Sequence, residues 1–378
     1  MDACDALIVG AGPAGSACAW ALRRSGIDTV IIDKRSFPRD KVCGGWITPA
    51  VIEELQIDTG EYARTRVLQP LSGFRTGRIG GPQVETDYRG PVSYGIRRCE
   101  FDAYLLARSG ARVLQDTPLQ QLERAGERWI VNGNIAARIV IGAGGHFCPV
   151  ARFLGADARK ETAVAAQEME FEMTPDQREK CEIRGEMPEL FFCADMKGYG
   201  WCFRKQDFLN IGLGRLDPRG LPAHVADFVA YLRNAGKIGF DLPVSMLGHA
   251  YLLYSKTNRN ICDDGMLLIG DAAGLAYSQS GEGIRPAIES GLLAAKAIAA
   301  AGSYTREKLE PYRRALAARF GDSGRDIATH VGTRLPERWI ESLGRMLLAN
   351  GWFSRHVVLD RWFLHRNQPA LRCSPASV

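Results

Sequence analysis

The stretch from residue 5 to residue 33 constrains the fold more than any other. Asp5-Ala6-Leu7-Ile8-Val9 is a short apolar run that breaks into Gly10-Ala11-Gly12-Pro13-Ala14-Gly15. Residues 16–25 then read as a helix, and Thr29-Val30-Ile31-Ile32 is a second apolar run closed by Asp33. Strand, Gly-x-Gly-x-x-Gly, helix, strand and terminal acid is the arrangement that binds a dinucleotide. Gly10 permits the tight turn, Gly12 lets backbone approach a pyrophosphate, and Gly15 lets helix and strand pack closely. Pro13 and Ala14 open the helix, whose free N–H groups and positive dipole end attract phosphate. Asp33 can accept hydrogen bonds from ribose hydroxyls. The pattern leaves the choice of dinucleotide open.

Composition narrows the classes further. At 378 residues the chain is long enough for two domains or one elaborated domain. Its formal net charge of +5 is small for that length and no block of Lys or Arg is present, so nucleic acid is disfavoured as a partner. The ten cysteines include no Cys-x-x-Cys pair and the six histidines no pair at ligand spacing. That argues against a metal site and a disulfide framework, and for a reducing cytoplasm. No secretory leader is expected, because Asp2 and Asp5 stand where a basic segment would. The longest apolar helix candidate, residues 292–301, carries Lys296 and is shorter than a membrane span. The expectation is a cytoplasmic protein with at most peripheral membrane contact.

Along the chain, a loop rich in charge, proline and glycine follows Asp33. It contains Lys34 and Lys41-Val42-Cys43-Gly44-Gly45, where Gly44-Gly45 permits close approach to a ligand. Residues 49–55 look helical, residues 68–86 read as irregular strands, and Phe101 and Leu105 lie on an apolar helix stripe. Asn132-Gly133-Asn134 between two apolar runs is a hairpin signal. From residue 161 the texture changes. Glu168-Met169-Glu170-Phe171-Glu172-Met173 alternates as a half-buried antiparallel strand does, which predicts three glutamates on one solvated face. Further strands are expected at residues 189–194, 199–205 and 208–213, with a helix over 221–235. A buried strand ending in Gly270-Asp271 and a helix over 284–301 restore the α/β texture. The last fifty residues read as helical, and their Trp339, Leu343, Met346, Trp352, Trp362 and Phe363 fit either packing against the body or a lipid-like surface.

Three pieces line up: the glycine fingerprint with Asp33, Arg98-x-x-Phe101-Asp102, and Gly270-Asp271-Ala272-Ala273-Gly274 before a helix. Together they resemble the FAD-dependent oxidoreductases of the para-hydroxybenzoate-hydroxylase superfamily. Pro38-Arg39-Asp40-Lys41-Val42-Cys43-Gly44-Gly45 and Tyr199-Gly200-Trp201-Cys202-Phe203-Arg204 are similar to motifs of its geranylgeranyl reductase branch, with Arg204 where proline is usual. The resemblance implies an α/β fold: a Rossmann-like FAD-binding domain (residues 1–70, 98–160 and 255–330) with an inserted antiparallel β-sheet substrate domain (71–97 and 161–254) and C-terminal helices (331–378). It implies FAD held by Gly10, Gly12, Pro13, Ala14, Gly15, Asp33, Lys34, Lys41, Cys43, Gly44, Arg98, Asp271, Gly283 and Ile284. Amides at Gly283 and Ile284 would stand at a helix N-terminus, where they can stabilise negative charge on the reduced flavin.

Cys43 is the candidate catalytic residue. Beside a flavin its thiol could donate a proton, shape the substrate face or fill space. Tyr199, Trp201 and Arg204 are the candidate substrate-pocket residues, although Tyr199 and Trp201 also fit an aromatic core pair. Gly144 stands where many relatives have an aspartate, so the electron donor is NAD(P)H or another reductant. The expected activity is reduction of carbon–carbon double bonds in an isoprenoid-like or other hydrophobic small molecule. Flavin-dependent monooxygenation of an aromatic or peptide substrate, and a non-catalytic flavin-binding partner protein, are the alternatives.

Overall fold

The computed structural model describes residues 1–243, 245–321 and 337–372. An eight-stranded sheet is the frame of the nucleotide-binding part. Across it run Cys262–Asp263, Met266–Leu268, Ile135–Gly142, Asp2–Val9, Thr29–Ile32 and Arg112–Leu114, the last five mutually parallel. Parallel strands covered on both faces need continuous apolar runs, and Thr29–Ile32 is buried at every position. The hairpin that carries Arg128–Val131 turns at Asn132 and Gly133, both with positive φ.

Two glycines set how tightly the frame closes. Gly10 has φ +116°, and a Cβ there would collide with the Ala143 carbonyl. A Cβ on Gly15 would collide with the Gly10 carbonyl oxygen. The fingerprint helix, Pro13–Arg24, is therefore seated directly on the turn. The late helix, Ile284–Ala300, lies against it.

A second sheet has seven strands, in the order Leu247–Tyr251, Val164–Glu172, Phe208–Arg215, Gly198–Lys205, Glu189–Phe192, Gly73–Arg78 and Gln83–Asp87. It is antiparallel except where Glu189–Phe192 joins Gly73–Arg78 in parallel. One face packs Ile211, Leu213 and Phe171 against Val225, Phe228 and Leu232 of the helix Leu221–Asn234. Trp46–Ile47, Ser93–Ile96 and Leu68–Leu71 form a small third sheet that straddles the boundary expected at residue 70. The boundary expected at 330–331 lies outside the described residues.

The strand Val164–Glu172 corrects the expectation of a solvated glutamate face. Glu168 is 5% exposed, Glu170 is paired with the buried Lys205, and only Glu172 at the strand end is exposed. Alternation reveals that a strand has two faces but not what covers each one. Here the second face is covered by the Cys43 loop and by the C-terminal segment, whose Phe363 stacks on Trp46 at 5.6 Å. By contrast, Trp339, Leu343, Met346 and Trp352 are exposed. No helix among the described residues is long and apolar enough to cross a membrane.

Gly15→Ala is expected to lower the stability of the ligand-free protein by about 1–3 kcal/mol, the usual cost of overpacking. Chemical denaturation measures it; an unchanged midpoint would mean that helix and turn are not in hard contact.

Candidate active site

The site begins at the glycine turn. The Asp33 carboxylate spans it, accepting the Ala11 N–H at 2.7 Å on one oxygen and the Arg35 N–H at 2.9 Å on the other. The fingerprint helix has no side-chain cap from Gly12, no acid in its first turn, and Pro13 at its start. Its positive end is thus left uncompensated by protein charge. Among the described residues, a Cβ built on Gly12 would meet Arg39 Nη2 at 3.6 Å and nothing else within 4 Å. Bare glycine, an open helix end and a guanidinium fit a pyrophosphate. Arg39 was not singled out from sequence; it is held above the Phe37 ring and 3.6 Å from Asp102 Oδ2.

A polar cluster forms the far side. Asp271 follows the strand Met266–Leu268 in the turn Gly270–Ala272, which is fixed by the Gly270 N–H donating to Ser290 Oγ at 2.9 Å. A Cβ on Gly283 would lie 3.3 Å from Asp271 Oδ1, so the carboxylate rests against the start of the late helix where Gly283 and Ile284 stand. Lys41 Nζ lies 3.0–3.1 Å from the His249 ring nitrogens, and His249 Nε2 is 3.7 Å from Asp271 Oδ2. Burial pushes Lys41 below its ordinary value, although Asp271 opposes the shift. Burial also lowers His249, against the Asp271 hydrogen bond and with help from the Lys41 charge. For Asp271, burial raises the carboxyl but loses to His249, Lys41 and Arg98, so it stays below the usual range. The cluster presents an anionic acceptor beside groups that shed protons readily.

Arg98 joins this cluster to Cys43. Its Nε and Nη2 each donate to Asp102 at 2.9 Å, and its charge is close enough to the Cys43 thiol for the two to interact. The Gly45 N–H points at Cys43 Sγ from 3.4 Å. Above the loop stands the second sheet. Trp201 and Phe203 lie 3.4 and 3.5 Å from where a Gly44 Cβ would be. The indole lies flat because a Cβ on Gly212 would strike it. Trp201 Nε1 donates to Asn210 Oδ1 at 2.7 Å, and Asn210 Nδ2 donates to the Cys43 carbonyl at 3.2 Å. Tyr199 donates its hydroxyl to Ser280 O at 2.5 Å, tying the sheet to the loop before the late helix.

The structure thus brings Gly10, Gly12, Pro13, Ala14, Gly15 and Asp33 to one end. It brings Lys41, Cys43, Gly44, Arg98, Asp271, Gly283, Ile284, Tyr199 and Trp201 to the other. Lys34 is exposed just beyond Asp33. Arg204 requires correction as a pocket residue. Strand alternation turns it to the face opposite Trp201 and Phe203, and its Nε donates to the Gln206 carbonyl at 3.2 Å. Its neighbour Lys205 takes the inward position. Glu168, His249 and Asn210 were also missed. Asn210 sits just before Gly212 in the hairpin with Trp201, a pairing that spacing could have suggested; no local signal marks His249.

Burial pushes Glu168 up to about 7 from an ordinary 4.5, with the Cys43 N–H and the Lys205 charge pulling the other way. Lys205 Nζ itself bonds Glu170 at 2.9 Å.

Comparison with known proteins agrees with this geometry. Residues 8–64 match the family described as NAD(P)-binding Rossmann-like domain. The chain is 32% identical over 319 residues to a menaquinone reductase of Mycobacterium tuberculosis, covering 78% of this chain and 76% of the relative. It is 30% identical to digeranylgeranylglycerophospholipid reductase 3 of Methanosphaera stadtmanae, over 82% of this chain and 81% of the relative. Among solved structures, a geranylgeranyl bacteriochlorophyll reductase-like protein from Thermoplasma acidophilum superposes with a TM-score of 0.78 at 20% identity, covering 97% of this chain and 98% of that one. A flavin-dependent halogenase shares the fold at a TM-score of 0.64, also at 20% identity, over 92% of this chain and 72% of its own.

Because the folded pKa of Glu168 is raised above its unfolded value, its contribution to stability is fully present below about 4.5 and lost as pH rises through about 7. Glu168→Gln removes that titration. The stability difference between variant and wild type, from denaturation midpoints, is expected to shift in favour of the variant across that window; a pH-independent difference would contradict the burial of the carboxyl.

Proposed function

The chain belongs to the geranylgeranyl reductase-like branch of the FAD-dependent oxidoreductases, and from that premise we propose that it saturates carbon–carbon double bonds of a polyprenyl lipid. The observation that carries the reading is the placement of the Cys43 loop. It is pinned between the Arg98–Asp102 pair on the nucleotide side and the Trp201 face of the second sheet. The relatives' names support the substrate class: a menaquinone and a digeranylgeranyl lipid both carry polyprenyl chains.

FAD, when bound, supplies the redox chemistry, taking electrons from NAD(P)H or another donor and delivering them to the double bond. The protein supplies position and charge. Gly12 and the open helix end would hold the pyrophosphate, with Arg39 beside them. Asp33 would take the adenosine ribose. Asp271 would receive hydrogen bonds from the cofactor's sugar chain, and the start of the late helix would offer amide dipoles to charge on the cofactor ring. Tyr199 and Trp201 give the apolar wall on which a prenyl chain lies, and the buried aromatic set that includes Phe192 and Phe363 keeps water out. Cys43 Sγ holds the proton that ends on the second carbon of the reduced bond.

The decisive assay supplies the FAD-loaded protein with polyprenyl lipid in vesicles and a chemical reductant, then weighs the product. Gain of two hydrogens per double bond without oxygen supports the reading; an oxygen-dependent gain of an oxygen atom would replace it with monooxygenation. Cys43→Ala is expected to keep its flavin and to lose roughly 10²-fold or more in turnover, the usual contribution of a positioned acid. Unchanged kinetics would show that the thiol is packing.

A further inference from the structure

Cys43 is held in an unusual way for a loop residue. Both polar groups of its backbone face side chains of the second sheet. Its N–H faces the Glu168 carboxylate, and its carbonyl accepts from Asn210 Nδ2 at 3.2 Å. Asn210 Nδ2 also lies 3.5 Å from Glu168 Oε2, and its amide orientation is fixed by Trp201 Nε1. These side chains come from three adjacent strands, where Glu168 and Trp201 both lie opposite Gly212. The sheet has committed a carboxyl, an amide and an indole N–H, all buried, to one peptide of the loop.

We propose that Glu168 and Asn210, aligned by Trp201, are positioning residues that clamp the Cys43 peptide and so aim its thiol, with the protonation state of Glu168 as the control on the grip. The inference deepens the reductase reading and rests on it for its consequence in turnover, but the clamp can be tested without it. The chemistry of the control is simple. As a carboxylate, Glu168 only accepts, and both of its neighbours, the Cys43 N–H and Asn210 Nδ2, are donors. A protonated Glu168 brings a third donor into the same space, and the grip loosens.

The charged groups around Glu168 leave that equilibrium near neutrality. Lys205, from the strand Gly198–Lys205, is the nearby cation, but its Nζ is bonded to Glu170. Glu170, on the same strand as Glu168, is a like charge that opposes ionisation. His249, opposite Ala166 on the edge strand, shares this face and turns its ring to Lys41 and Asp271. Burial dominates, and the cation nearest to hand is already engaged by Glu170, so a modest pH change can switch Glu168.

The test is amide hydrogen exchange of the 43–45 segment, read by mass spectrometry well below and well above neutrality and corrected for intrinsic exchange, on the FAD-loaded protein. The wild type is expected to show greater protection on the alkaline side. Glu168→Gln keeps an acceptor but cannot ionise, and is expected to lose the pH step. Glu168→Ala on the alkaline side, and Asn210→Ala at either pH, are expected to speed exchange by roughly fivefold to tenfold, as for the loss of one buried hydrogen bond. Flavin content should hold in all of them. In turnover, Glu168→Gln is expected to flatten the neutral limb of the kcat–pH profile. A pH step that persists in Glu168→Gln, or unchanged exchange in both alanine variants, would overturn the clamp. If the exchange pattern appears but no polyprenyl substrate is reduced by the wild type, the clamp stands and the reductase reading fails. If Glu168→Ala does not fold, Asn210→Ala and Glu168→Gln still decide.

Discussion

The site depends on one seam, where a polar and aromatic sheet face closes over a glycine-rich loop. A loop such as residues 39–45 has little apolar surface of its own and would be mobile if left in water. Here each end is fixed by a different part of the fold. Arg39 and Cys43 lean on the Asp102–Arg98 pair of the nucleotide-binding part. Gly44 and the Cys43 peptide lean on Trp201, Phe203, Asn210 and Glu168 of the second sheet. The two halves of the molecule meet through the loop, so neither half alone contains the site. Buried polar groups are costly unless satisfied, and the seam satisfies them by pairing across the two halves.

The charge distribution follows the same logic. At the glycine turn the protein leaves the positive helix end uncompensated and sets Arg39, itself 3.6 Å from Asp102, beside it. At the ring end it assembles Lys41, His249, Asp271 and Arg98 within mutual reach, and burial lowers the two proton carriers, Lys41 and His249. An anionic cofactor would meet donors along its length, while the sheet face above is aromatic and buried. That division suits chemistry in which one partner is a charged nucleotide and the other a hydrocarbon.

Much of the frame was readable from residues alone. Gly15 and Asp33 are forced by contacts within the first 33 residues and Gly10 by its φ of +116°, and local constraints leave local patterns. The motif residues Cys43, Arg98, Tyr199, Trp201 and Asp271 could be named, but their convergence could not be derived from spacing; it rested on a resemblance. What failed is instructive. The glutamates of the strand Val164–Glu172 were assigned to solvent because alternation is blind to what covers a face. Arg204 was grouped with Tyr199 and Trp201, although strand alternation turns it to the opposite side. His249 and Arg39 act through partners far along the chain, Lys41 and Asp102, and carry no local mark. The sequence is clearest about backbone geometry and least clear about which polar side chains a distant surface will cover.

The central claim is that this seam makes a site where a double bond is reduced without oxygen. Anaerobic stopped-flow tests it most directly: the chemically reduced flavoprotein is mixed with a polyprenyl lipid and the flavin absorbance is followed. The account predicts reoxidation at a rate that rises with lipid concentration, with no oxygen present. A flavin that stays reduced with lipid and reoxidises only when oxygen is admitted would contradict it.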